Sequence, residues 1–136
     1  MKPTTRLWTV QAVLAALFLF AGGMKLIMPA EALAAQSHLP GAFMKFIGIC
    51  ETLGAIGLIV PGLTRIRTEL TPVAAAGLVI IMIGATVLSA IQGPLVGALI
   101  PAVVGTLALY VVRGRWERAT QPARVYQAAP ALRRAA

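Results

Sequence analysis

The sequence contains no aspartate, and it has only one histidine, His38, and one cysteine, Cys50. A lone cysteine cannot form an internal disulfide, and one cysteine with one histidine is too few for a zinc-ligand set. No Cys-x-x-Cys or His-Glu-x-x-His sequence occurs, and no glycine-rich phosphate loop precedes a helix. The residues therefore predict no metal site and none of the usual catalytic centres of soluble enzymes.

Charge is also scarce. Only 12% of the 136 residues are charged and 59% are apolar, and the mean hydropathy is +0.86. Soluble domains have about 25% charged and about 45–50% apolar residues. A soluble domain of this size could not bury so much apolar surface in one core. Disorder requires the opposite composition. The composition therefore indicates an integral membrane protein.

Four apolar stretches approach the roughly 20 residues that cross a bilayer as a helix. Short segments rich in proline and glycine separate them, and such segments end helices. We therefore predict an all-α fold, a four-transmembrane-helix antiparallel bundle formed by residues 1–112. A short surface helix is expected over residues 31–36, between the first two spans. The predicted spans are residues 7–28, 43–60, 70–91 and 94–112.

The first span could also be interpreted as a cleaved signal peptide, because Lys2 and Arg6 precede it and small residues follow its centre. Its apolar stretch continues to Met28. That is longer than the about 7–15 residues of a signal-peptide core, so a retained span is the better prediction.

The basic residues predict the orientation of the bundle. Ten of the twelve lysines and arginines lie before the first span, between the second and third, or after the fourth. The positive-inside rule therefore places both termini in the cytoplasm. This distribution explains the net charge of +8, so we expect no nucleic-acid partner. Residues 113–136 are predicted to form a basic cytoplasmic tail, partly disordered, that begins on the lipid headgroups.

Two ionisable residues lie inside the predicted spans, Lys25 in the first and Glu51 in the second. A charged side chain near the centre of a membrane helix costs about 2.5–3.5 kcal/mol unless it is paired or hydrated. In antiparallel neighbours their depths would differ by about 6 Å, which a lysine stem can span. The two side chains could form an ion pair. Alternatively, Lys25 could extend outward to water while a protonated Glu51 bonds to a neighbouring helix.

Other candidate ligand-binding residues share faces with this pair. On the first span, Gln11, Phe18 and Gly22 recur on the helical face of Lys25. On the third span, Thr86 belongs to a mildly polar stripe. Stripes of small residues are more often packing seams than binding surfaces. Cys50 points away from Glu51 around the helix and is expected to fill space, and His38 has no ligand partner nearby in the sequence.

The sequence resembles the DoxX-like family of small bacterial four-helix membrane proteins. The likeness covers residues 7–112 and rests on two elements in order: Gly-x-x-Lys-Leu at Gly22–Leu26, and Glu-x-x-Gly-Ala-x-Gly-Leu at Glu51–Leu58. It implies a multi-pass protein of the cytoplasmic (inner) membrane, in a family associated with quinone-linked sulfur oxidation, thiol systems and oxidative stress. Lys25 and Glu51 match the motif residues. The chain lacks a cysteine pair, so direct electron transfer is not expected.

Three functions follow from these residues and this resemblance. The first is an accessory subunit, not an enzyme by itself, that binds quinone or another hydrophobic ligand and associates with a redox-enzyme partner subunit. The second is a membrane oxidoreductase subunit or in-membrane enzyme that uses Glu51 as proton carrier, with Lys25 as the other candidate catalytic residue. The third is a small-solute transporter, which with four spans would need a homo-oligomer. Each function has the lipid bilayer as its environment.

Overall fold

A computed structural model describes the backbone of residues 3–135 and the side chains of residues 4–120. Within that range every regular element is a helix. Four of the helices are long and apolar enough to cross a membrane, as predicted, and the fifth is a short helix between the first two. The helices are α1 (Pro3–Ile27), α2 (Ala30–Ser37), α3 (Gly41–Thr64), α4 (Leu70–Gln92) and α5 (Leu95–Ala135).

The four long helices pack in a ring. Helix α1 packs against α3, α3 against α4 and α4 against α5, and a smaller contact between α5 and α1 closes the ring. The interior contains side chains that are almost fully buried, among them Phe18 on α1, Leu58 on α3, Leu78 on α4 and Val111 on α5. The all-α, four-span bundle predicted from the sequence is confirmed.

The outer surface of the bundle is apolar. Large side chains such as Phe20, Ile80 and Ile91 are more than 70% exposed, and many other leucines, isoleucines and valines on the long helices are also exposed. A water-soluble protein would not present so large a continuous apolar surface. These helices therefore contact the lipid bilayer, and the protein is a multi-pass membrane protein.

Several helix boundaries differ from the prediction, and those at the start of α1 and the end of α3 differ by four residues each. Helix α1 begins at Pro3, where the span was predicted to begin at Leu7. Helix α3 continues through Pro61 to Thr64, so the prediction that Pro61-Gly62 ends the second span was wrong. Proline removes only one backbone donor, and here its ring is buried on the inner face of the helix. The helix ends at Thr64 instead, and the next residue, Arg65, adopts the left-handed conformation with φ 56°.

The fourth span continues beyond its predicted end. Helix α5 passes through Val112 without interruption, so no break in the backbone marks the start of the predicted tail. Arg115 lies on this continuation and packs back against α1. The predicted disorder of the tail falls largely on residues 121–136, whose side chains lie outside the described part of the chain.

The two ends of the bundle differ in composition. At the first, called here the outer end because the basic residues predict that it faces away from the cytoplasm, α2 packs on α3 and buries Leu33. The predicted short helix is thereby confirmed. Gln92, at the end of α4, donates a hydrogen bond to the Ser37 carbonyl at 2.9 Å and joins α2 to the α4–α5 connection. The second, the arginine-rich end, combines the start of α1, the α3–α4 connection and residues 113–120 of α5.

Candidate functional site

The candidate site begins where α1 and α3 come closest. A methyl group on Gly22 would lie 2.6 Å from the Thr52 hydroxyl oxygen and 2.7 Å from the Gly48 carbonyl oxygen. A methyl group on Gly48 would lie 2.8 Å from Cβ of Lys25. Only glycine allows two membrane helices to approach this closely. The two glycines therefore set the distance across which Lys25 and Glu51 face each other.

Lys25 and Glu51 form an ion pair, with 2.8 Å between Lys25 Nζ and Glu51 Oε2. The predicted pair is confirmed, and the alternative in which Lys25 extends outward to water is wrong. Cβ of Lys25 lies at the level of Gly48, so Glu51 is about 4.5 Å deeper in the bundle, three residues along α3. The lysine stem reaches inward over that distance. The Glu51 side chain is 4% exposed and that of Lys25 is 22% exposed, so the acid is the more enclosed partner.

A second lysine at the outer end has a different role. Lys45 is near the start of α3 and donates a hydrogen bond to the carbonyl of Leu26 at 2.8 Å. That carbonyl belongs to the last turn of α1, where backbone acceptors have no partner within the helix. Lys45 therefore caps α1 and takes no part in the ion pair.

A cavity of about 410 Å³ lies beside the ion pair, between α3 and α4. Lys25 and Glu51 supply its charged groups, and the rest of its wall is mostly apolar. The lining residues Phe46 and Ile80 are 59% and 71% exposed on the lipid-facing surface. The cavity is therefore accessible sideways from the membrane. Other lining residues are Leu39, Phe43, Met44, Ile47, Cys50, Ile81, Gly84, Ala85 and Leu88.

The ion pair retains hydrogen-bonding capacity toward this cavity. An ammonium group has three donors, and the Lys25 ammonium uses one of them on Glu51. A carboxylate can accept several hydrogen bonds, and Lys25 is the only hydrogen-bonding partner of the Glu51 side chain among residues 4–120. The cavity can therefore offer both a donor and an acceptor to one polar group of a ligand, while its walls contact an apolar remainder.

The other candidate residues lie elsewhere. Phe18 is 1% exposed in the core, and Gly22 is at the helix crossing. Thr86 donates to the Met82 carbonyl at 2.7 Å and lines a separate cavity between α4 and α5. Gln11 is fully buried near the arginine-rich end. None of these four residues lines the cavity beside the ion pair, and their part in ligand binding stays a prediction.

Gln11 belongs to a second polar cluster that the sequence analysis did not anticipate. Its amide nitrogen donates to the Leu58 carbonyl, and its amide oxygen accepts a hydrogen bond from Arg115 Nε. The Arg115 guanidinium also lies over the ring of Trp8, 4.7 Å from the ring centroid. A signal for Arg115 was present in the sequence, since Ala108 and Val111 precede it at helical spacing on the buried face of α5.

The fold and the ion pair together define a small four-span membrane protein with a polar centre inside an apolar bundle. A model of the DoxX-like family matches residues 9–111, which includes most of the four spans, and the chain belongs to this family. The resemblance found in the sequence is thereby confirmed. No match was found among curated proteins or among solved structures.

Proposed function

We propose that this DoxX-like protein binds the polar head of a quinone-like or other hydrophobic ligand in the cavity beside Lys25 and Glu51. In this proposal it acts in the cytoplasmic membrane as an accessory subunit linked to redox or stress physiology. The observation that carries the proposal is the position of the ion pair, which lies at the wall of an apolar cavity open to the lipid-facing surface.

The size and lining of the cavity support a ligand of this class. Small-molecule sites commonly have volumes of about 300–1,000 Å³, with apolar walls and a few polar groups that orient the ligand. A volume of about 410 Å³ falls in that range. A membrane-dissolved ligand could enter between α3 and α4 past Phe46 and Ile80, because both side chains are exposed on that side. The ligand would not have to cross water.

The polar groups suit a ring that is converted between a carbonyl form and a reduced, hydroxyl form. An N–H of Lys25 can donate to a quinone carbonyl, and the Glu51 carboxylate can accept from the hydroxyl of the reduced ring. The chain would hold and orient the ring in either state. Electrons would be supplied or removed by a partner subunit, since Cys50 is the only cysteine of this chain.

The test is to titrate a short-tailed quinone into the full-length protein in lipid nanodiscs. Lys25→Met is expected to weaken binding of the quinone by about tenfold or more, because a donor to the ring carbonyl is lost. Glu51→Gln is expected to weaken binding of the corresponding quinol, titrated in the same way, by about five- to tenfold, because a neutral acceptor replaces a charged one. Lys45→Met is the matched control because Lys45 lies at the same end and does not line the cavity. Unchanged binding in both site variants would contradict the proposal.

A steric pair of variants tests the cavity without altering charge. Gly84 lines the cavity, and a Cβ placed there would have nothing within 4 Å. Gly84→Leu should therefore fold and obstruct the ligand. Gly97→Leu is the control, because Gly97 on α5 has equally open surroundings and does not line the cavity. Equal quinone affinity in the two variants would place the ligand elsewhere.

The same preparations separate the other hypotheses. Turnover of a membrane substrate that is lost in Glu51→Gln and depends on pH would favour an enzyme with Glu51 as proton carrier. A homo-oligomer in detergent, together with solute uptake into vesicles, would favour a transporter.

A further inference from the structure

Another cavity lies at the arginine-rich end of the bundle, opposite the end that holds the ion pair. Its volume is about 330 Å³, and it lies between the start of α1, the α3–α4 connection and residues 115–119 of α5. Its lining is mainly polar and basic, in contrast to the lining of the cavity beside Glu51. The polar and aromatic residues of this arginine cavity are Trp8, Arg65, Thr68, Thr71, Arg115 and Arg118.

The arginine cavity is lined by three arginines, and the two acids at this end of the bundle, Glu69 and Glu117, do not line it. Arg65, Arg115 and Arg118 all line it, and no carboxylate does. Across residues 4–120, the ion pair of Lys25 and Glu51 is the only one present. The three guanidinium groups therefore lie around one concave site with no carboxylate partner in that range. Confining like charges in this way is unfavourable unless an anion lies among them.

Two buried donors at this site have no hydrogen-bond partner among residues 4–120. The Thr71 side chain is 1% exposed, and its hydroxyl makes no hydrogen bond within the described part of the chain. Arg115 Nη2 is also buried and unpartnered there. Buried polar groups are nearly always hydrogen-bonded. Because the free guanidinium nitrogen can only donate and the hydroxyl can donate, an acceptor-rich ligand would satisfy both.

The guanidinium of Arg115 is held in place before any ligand binds. Its Nε donates to Gln11, and its plane lies over Trp8. These contacts restrict the rotation of the side chain while leaving Nη2 without a protein partner. A planar guanidinium held in this way suits the oxygens of a phosphate group.

We propose that the arginine cavity binds a phosphate-type oxyanion, coordinated by Arg115, Arg118 and the Thr71 hydroxyl. The anion is either the headgroup of an anionic phospholipid or a soluble phosphate. Basic pockets between membrane helices commonly bind phospholipid headgroups. The site is independent of the proposed ligand cavity, because different residues at the opposite end of the bundle form it.

The test uses the full chain in phosphatidylcholine nanodiscs, with two probes. Phosphatidylglycerol retained by the protein is measured by native mass spectrometry, and inorganic phosphate binding is measured by calorimetry. We expect at least one probe to bind. Binding of phosphatidylglycerol alone identifies a lipid headgroup, and binding of inorganic phosphate identifies a soluble anion. Binding of neither would overturn the proposal.

Two variants assign the binding to this cavity. Arg118→Gln should weaken it about tenfold or more, and Thr71→Val by about three- to tenfold. Arg113→Gln is the matched control, since Arg113 is exposed on the same helix and does not line the cavity.

Thr71→Val also separates a binding role from a structural one. The change keeps the shape of a side chain whose hydroxyl has no described partner, so the ligand-free protein should be at least as thermostable as the parent. Lost binding with intact thermostability supports the site. Equal weakening by Arg118→Gln and Arg113→Gln would show general surface charge instead, and would overturn the proposal.

Discussion

The two polar centres of the bundle differ in the groups that surround their cation. At the outer end, Lys25 meets the carboxylate of Glu51, and the opposite charges balance within one contact. At the arginine-rich end, Arg115 meets the neutral amide of Gln11 and the ring of Trp8, and further arginines lie nearby. The first centre has no net charge and lies beside an apolar cavity. The second keeps its positive charge and its unused donors, which is why we assign the two cavities to ligands of different chemistry.

Helix α1 contributes to both centres from one face. Gln11 and Lys25 are fourteen residues apart, which corresponds to about 21 Å along the helix axis. Groups at that separation, with no shared partner, normally contribute additively to stability. The shared helical face therefore does not mean a shared site, and each centre can be altered without the other.

The largest expected effect on stability comes from replacing one partner of the ion pair at a time. Lys25→Met leaves an enclosed acid without its cation and should lower the free energy of unfolding by about 3–5 kcal/mol. Glu51→Gln should lower it by only about 1 kcal/mol, because the amide oxygen still accepts a hydrogen bond and Lys25 is partly exposed. Unfolding by sodium dodecyl sulfate in mixed micelles measures both values. Equal losses would show that the two partners are equally enclosed.

A smaller effect is expected when the neutral partner at the other centre is removed. Gln11→Leu keeps the side-chain size and removes the acceptor of Arg115 Nε, with an expected loss of about 2 kcal/mol. Gln92→Leu is the control at the outer end, where an exposed amide donates to Ser37. It should change stability by no more than about 0.5 kcal/mol. The same unfolding assay compares the two, and a larger loss for Gln92→Leu would reverse our ranking of the contacts.

The smallest effect concerns the crossing that supports the ion pair. Gly22→Ala places a methyl group against α3 and should destabilise the protein by about 1–2 kcal/mol. Gly23→Ala, one residue further, meets nothing within 4 Å and should be neutral or slightly stabilising, because alanine favours helix more than glycine does. Thermal unfolding followed by circular dichroism distinguishes them. Equal melting temperatures would mean that the helices can separate at no cost.

The contacts of the two centres were not equally visible in the sequence. The ion pair could be predicted, because Lys25 and Glu51 are the only strongly ionisable residues well inside the spans and each needs a partner there. Arg115 could not be placed in the same way. It lies among several arginines beyond a long apolar stretch, where a solvated tail is the ordinary interpretation. Its helical spacing from Val111 differs from that of Arg113, but its contacts with Gln11 and Trp8 are seen only in the structure.

Some helix ends could likewise be predicted from the sequence and others could not. The third span was predicted at residues 70–91 and is found at Leu70–Gln92, because Gly93 and Pro94 follow it directly. The second span passed its predicted end because burial of the Pro61 ring outweighs the loss of one backbone hydrogen bond. Local preference for a turn was correct in the first case and was overridden by packing in the second.

Hydropathy and the spacing of prolines and glycines were sufficient to determine the number of spans and the all-helical class, because bilayer thickness imposes a length on any apolar helix. The distance between Lys25 and Glu51, the cavity beside them and the return of Arg115 onto α1 were decided only by tertiary packing. These features depend on how closely neighbouring helices approach and on which faces they present. That depends on pairs of residues far apart in the chain, such as Gly22 with Thr52 and Gln11 with Arg115.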